Sequence, residues 1–100
     1  MLTAGDLAVD PARRQVTRGG VPVTLTSREF ALLEFLMRRR GDVVSKHSII
    51  ENVWDMSFDG DPNIVEVYVS YLRKKIDQPY GRAAIETIRG AGYRLAADGG

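Results

Sequence analysis

PNIVEVYVSYLRKKI, residues 62 to 76, is the stretch against which the rest of the 100-residue chain is read. Its flanks are those of a helix. Asp61 can cap the first turn, and Pro62 suits the first helical position, where no N–H is needed. Arg73, Lys74 and Lys75 lie near the negative end of the helix dipole, and Pro79 follows. At the helical period, Val65, Val69, Leu72 and Ile76 fall on one stripe, which predicts a core face. The opposite face carries Asn63, Val67, Ser70, Tyr71 and Lys74. An amide, a hydroxyl, a phenol, an ammonium and an apolar side chain suit base edges and thymine methyls in a DNA major groove. They also suit a fully buried helix or one packed on a protein partner, because periodicity establishes only amphipathicity.

One hundred residues make one small domain, able to bury roughly 60–70% of its unfolded surface. The composition is that of an ordinary globular protein. No apolar run approaches the length of a membrane span, and MLTAGDLAVDPARR lacks the order of a signal peptide. With no cysteine, disulfide and thiolate chemistry are excluded. The net charge of +1 does not announce a nucleic-acid binder, but its distribution is uneven. From Pro62 to Arg94 six bases face three acids, whereas Glu51 to Asp61 holds four carboxylates and no base. Two surfaces with different partners and a chance unevenness both fit this pattern.

Before the central stretch, residues 1–25 read as an antiparallel meander of short strands. Leu7, Val9, Val16, Val21, Val23 and Leu25 alternate with polar or small residues, and Gly19-Gly20 is a hairpin turn signal. Residues 26–40 form the clearest helix, opened by a Thr26/Glu29 capping box, with Phe30, Leu33, Leu36 and Met37 as its core stripe. Arg38, Arg39 and Arg40 crowd its last turn, where phosphate clamping and compensation of the helix dipole fit alike. Ser45 caps a second helix, residues 45–54. His47 is alone there, without a second ligand for a metal. Residues 55–61 are a loop in which Met56, Phe58 and Asp59 suit either a protein contact or packing on their own domain. Its aspartates lack the spacing of a calcium loop.

After the 62–76 helix, residues 85–96 read as a hairpin around Gly90-Ala91-Gly92, with Arg89 and Arg94 at or beside its tip. Arginine on a thin ribbon suits a DNA minor groove. No strand-loop-helix follows the glycines, which argues against a dinucleotide site. Residues 97–100 read as a frayed tail. The fold class is therefore α+β: a winged helix-turn-helix with an N-terminal antiparallel sheet, three helices and a C-terminal β-hairpin wing. The loop between the second and third helices is longer than the usual short turn.

These segments carry a resemblance. LTSREFALLEFLMRRRGDVVSKHSIIENVW, NIVEVYVSYLRKKID and IETIRGAGYRL closely resemble the DNA-binding effector domain of OmpR/PhoB-type two-component response regulators, over nearly the whole chain. The resemblance implies a four-stranded N-terminal sheet, a recognition helix (62–76) in the major groove and a wing (85–96) in the adjacent minor groove. It implies double-stranded DNA as partner, bound on direct repeats by a head-to-tail dimer, and RNA polymerase contact through Met56, Phe58 and Asp59. It further implies a receiver domain, absent from this chain, that a histidine kinase phosphorylates. A cytoplasmic location, no membrane association, no cofactor and no catalysis complete the expectation.

The residues expected to read bases are Asn63, Val67, Ser70 and Tyr71. Arg73, Lys74 and Lys75 are expected at the DNA backbone, and Thr87 and Arg89 in the wing. Some family members carry two arginines where this chain has Ser70 and Tyr71, so bidentate pairing with guanine is lost there. Ser70 can bond several bases, and Tyr71 can bond phosphate or cover a thymine methyl. Arg73 is carried over as a phosphate contact or as a bridge to an acid of its own domain, and Tyr93 as a structural residue. The near-neutral charge and the Ser70-Tyr71 pair leave room for an alternative, a winged-helix protein-interaction module that does not read DNA.

Overall fold

The computed structural model describes residues 1–55, 58 and 60–100. Strands β1 (Leu2–Ala4), β2 (Leu7–Asp10), β3 (Gln15–Arg18) and β4 (Val21–Val23) form an antiparallel sheet in sequence order. Gly19 and Gly20, at φ 58° and 81°, make the two-residue turn between β3 and β4, a geometry that favours glycine. Helix α1 (Ser27–Arg38) starts at the capping box: Thr26 Oγ1 accepts from the Glu29 N–H at 3.3 Å, and the Thr26 N–H donates to Glu29 Oε1 at 2.9 Å.

A two-residue strand, β5 (Val43–Val44), leads to α2 (Lys46–Ile49), capped by Ser45 and continued by a wide turn over Ile50–Trp54. Helix α3 (Ile64–Leu72) runs on into a second wide turn, Arg73–Asp77. Pro62 and Asn63 lie ahead of α3, in a turn where Asp61 Oδ1 accepts from the Asn63 N–H at 2.9 Å. Asp61 thus organises the turn before the helix, because Asn63 supplies no side-chain cap bond of its own. Strands β6 (Ile85–Ile88) and β7 (Gly92–Leu95) form the wing, and β7 also pairs with β5, giving a sheet ordered β5-β7-β6. This is the α+β winged helix-turn-helix that the sequence predicts.

The core stripe of α3 is fully buried. Val65, Val69, Leu72 and Ile76 pack with Leu32, Leu33, Leu36 and Met37 of α1 and with Ile49 and Val53 of the second helix. That burial fixes which face of α3 is left outward. Tyr93 and Leu95 bring the wing's inner strand into the same core. The end of β5 crosses so close to β7 that a Cβ on Gly92 would lie 2.0 Å from the Val44 carbonyl oxygen, so only glycine fits there.

One buried polar cluster ties both sheets to α3. Arg18, only 1% exposed, donates from Nε to the Ile76 carbonyl at 2.9 Å and from Nη1 to Asp6 Oδ1 at 3.0 Å. Its Nη2 donates to Asp77 Oδ1 at 3.1 Å and to the Gly99 carbonyl at 2.6 Å. Buried Asp77 also accepts from the N–H groups of Ala84 (3.0 Å) and Ile85 (3.4 Å), where the first wing strand begins. The expected frayed tail is therefore docked. Gly99 is buried, held by Arg18, and Gly100 takes a bond from Arg82. Among the described residues, no helix is long and apolar enough to cross a membrane.

Candidate nucleic-acid interface

With its core stripe buried, α3 and the turns before and after it turn Asn63, Val67, Ser70, Tyr71 and Lys74 away from the core. Asn63 and Lys74 are exposed and Ser70 is half-buried. Val67 and Tyr71 are 39% and 43% exposed. Both are large apolar side chains left partly uncovered on this outer face. Beside them the wing turns at Arg89-Gly90-Ala91, closed by a 3.0 Å bond from the Ala91 N–H to the Ile88 carbonyl. Arg89 is exposed at that tip, and no hydrogen bond or ion pair among the described residues engages it.

Between α3 and the wing lies a cleft of about 630 Å³ that includes Lys46, Glu66, Arg73, Thr87, Arg89 and Tyr93 in its walls. Arg73 lines this cleft. It donates to the Ile85 carbonyl from Nε at 3.2 Å and from Nη2 at 2.8 Å, and Nη2 also reaches Thr87 Oγ1 at 2.8 Å. Sequence reasoning allowed for a bridge from Arg73 to an acid; the bridge found runs instead to neutral groups of the wing. Among the described residues the guanidinium thus meets no carboxylate and its Nη1 has no partner, while it fixes the wing to the end of the helix.

Lys75 points elsewhere. Its ammonium donates to Glu29 Oε1 at 2.6 Å, and Glu29 is buried at the start of α1. Burial would push the Glu29 carboxyl up. The Lys75 ammonium, the Thr26 N–H and the Thr26 hydroxyl outweigh it and hold the group below its ordinary value. Arg94 pairs with Glu86 across the wing strands at 3.1 Å, so of the two wing arginines only Arg89 is unengaged among the described residues. The Arg38-Arg39-Arg40 run is largely self-satisfied. Arg38 pairs with Glu34, Arg39 lies 3.6 Å from Asp42, and Arg40 bonds the Met37 carbonyl.

Sequence reasoning missed the Lys46–Glu66 ion pair, which joins the two helices at the mouth of the cleft. Glu66 raises the pKa of Lys46 through that bond, while burial, then the Glu66 charge, raises that of Tyr93. In the loop after the second helix, Met56 and Asp59 lie outside the described residues. Phe58 is half-buried against Trp54, with ring centroids 6.2 Å apart.

The chain is similar to known proteins in sequence and in fold. Residues 20–95 match the model of the family described as "Transcriptional regulatory protein, C terminal". The chain belongs to this family. It is 50% identical to the transcriptional regulatory protein TcrA of Mycobacterium tuberculosis over 99% of its own length and 39% of that protein's. To the transcriptional regulatory protein CusR of Escherichia coli it is 48% identical, over 95% of this chain and 42% of that one. The chain thus spans about two fifths of the length of these curated relatives. Among solved structures, the Klebsiella pneumoniae RstA DNA-binding domain, in complex with the RstA box, superposes with a TM-score of 0.85 at 33% identity, covering 96% of each chain. The OmpR/PhoB-type winged helix-turn-helix is therefore the family architecture of this chain.

Proposed function

We propose that this DNA-binding domain lays α3 in the major groove of duplex DNA and places its wing in the adjacent minor groove, without catalysis. The observation that carries the reading is the outer face of α3. Its core stripe is completely buried, yet Val67 and Tyr71 stay exposed beside Asn63 and Ser70, next to a ribbon tipped by unengaged Arg89. Asn63, Val67, Ser70 and Tyr71 would read base edges and thymine methyls. Lys74 and the Nη1 of Arg73 would meet phosphates, whereas Lys75, expected there from the sequence, is turned to Glu29 and would not. Arg89 would enter the minor groove, with Thr87 orienting Arg73 behind it.

The chain's share of its relatives' length supports the wider reading. A receiver domain, phosphorylated by a histidine kinase in the cytoplasm, would control head-to-tail pairing of two such domains on direct repeats. Pairing would raise avidity without new base contacts. The 55–61 loop would contact RNA polymerase; Phe58 is half-buried against Trp54 and would offer a partner only part of its ring. The test is selection from a random duplex pool at low and then moderate salt. Enrichment of two short repeats about one helical turn apart is expected. Retention without any motif, or no retention, would overturn the reading.

A further inference from the structure

Tyr71 has an exposed ring, and no hydrogen bond among the described residues engages its hydroxyl. Such a side chain would ordinarily sample several rotamers, and ordering it on DNA would cost affinity and blur discrimination. Its surroundings argue otherwise. The ring of Tyr68, three residues earlier on the same helix, meets it edge-on at 5.4 Å and 68°. Tyr68 is half-buried and is backed by Trp54 at 5.4 Å and 80°. Trp54 is held in turn by the Arg28 guanidinium, 5.2 Å from its ring, and Arg28 is anchored on the Val53 carbonyl. A column of rings thus runs from the second helix to the outer face of α3.

From this column we infer that Tyr68 is a positioning residue for base discrimination: it holds the Tyr71 ring in one orientation on the face proposed to read DNA. The inference rests on that proposed reading. Tyr68 itself sits between the core stripe and the outer face, so helical periodicity assigns it to neither. Only its ring takes part, since no hydrogen bond among the described residues uses its hydroxyl. Removal of the ring, and not of the hydroxyl, is what should matter.

The experiment measures affinity for the selected duplex against every single-base variant of it, for Tyr71→Ala, Tyr68→Leu, Tyr68→Phe and the Tyr68→Leu/Tyr71→Ala double variant. Tyr71→Ala should lose preference at one or two positions. Tyr68→Leu should lower preference at those same positions by about two- to tenfold, and Tyr68→Phe should retain it. In the Tyr71→Ala background Tyr68→Leu should add nothing. Wild-type preference in folded Tyr68→Leu, with preference lost in Tyr71→Ala, overturns the inference and leaves the groove reading standing. Unchanged preference in Tyr71→Ala removes Tyr71 from base reading and the inference with it. Should Tyr68→Leu fail to fold, the ring-proton chemical shifts of Tyr71 in the wild-type domain decide. Ring-current-shifted resonances support a fixed ring, and shifts of a freely averaging tyrosine overturn it.

Discussion

Replacing Arg89 with alanine removes the exposed cation at the wing tip, which no carboxylate among the described residues offsets. Each phosphate charge neutralised on B-DNA contributes about −0.9 to the slope of log affinity against log salt. Arg89→Ala should therefore shrink that slope by about 0.9. Between about 50 and 200 mM salt the variant would lose roughly 3.5-fold less affinity than the wild type. Lys75→Met is the matched control. Its ammonium is already neutralised by buried Glu29, so removing it should leave the slope unchanged. It should instead lower stability by about 1–2 kcal/mol, because Glu29 loses a partner while the lysine end was partly solvated. The assay is fluorescence anisotropy on a labelled duplex across a salt series, with urea denaturation alongside. A wild-type slope in Arg89→Ala, or a slope reduced by about 0.9 in Lys75→Met, would refute this division of the charges.

Three further substitutions test the wing bridge, the buried cluster and the start of α1. Arg73→Lys keeps the charge but loses the fork that reaches Ile85 and Thr87, so affinity should fall several-fold with the salt slope unchanged; wild-type affinity would mean that only its charge mattered. Arg18→Met leaves buried Asp77 without its cation and should cost about 3 kcal/mol or more in denaturant titration, while a loss under about 1 kcal/mol would contradict the role given to this cluster. Glu29 has a folded pKa below its ordinary 4.5, so its stabilisation is fully present above that value and is lost as pH falls through the folded one. The stability gap between wild type and Glu29→Gln should accordingly be constant near neutrality and narrow below about pH 4.5; an equal gap at pH 3 and pH 7 would count against it.

What could be read in the sequence was local or periodic. The Thr26/Glu29 box, the Gly19-Gly20 turn and the Val65-Val69-Leu72-Ile76 stripe each depend on residues a few positions apart, and each is found where expected. What could not be read depends on partners far along the chain. Arg18, in the strand QVTR, alternates onto the same face as Val16, and its charge can be buried there because Asp77 arrives from 59 positions away. Lys75 belongs to the same basic run as Lys74, but Glu29, 46 positions earlier, takes it into the domain. Arg73 turns to the wing because β6 begins beside it, a juxtaposition created by Asp77 accepting from Ala84 and Ile85. The tail's four small and polar residues suggest fraying, whereas the carbonyls of Gly99 and Gly100, bonded by Arg18 and Arg82, dock its end.

The placement of α3 and the wing in two different grooves can be tested on the selected duplex by methylation interference. Dimethyl sulfate marks guanine N7 in the major groove and adenine N3 in the minor groove. Helix and wing lie on one side of the domain with the 630 Å³ cleft between them. Interference should therefore appear at guanines under α3 and at adenines in the neighbouring minor groove, and only the adenine signal should weaken in Arg89→Ala. Interference confined to one groove, or an adenine signal that survives Arg89→Ala unchanged, would contradict the account.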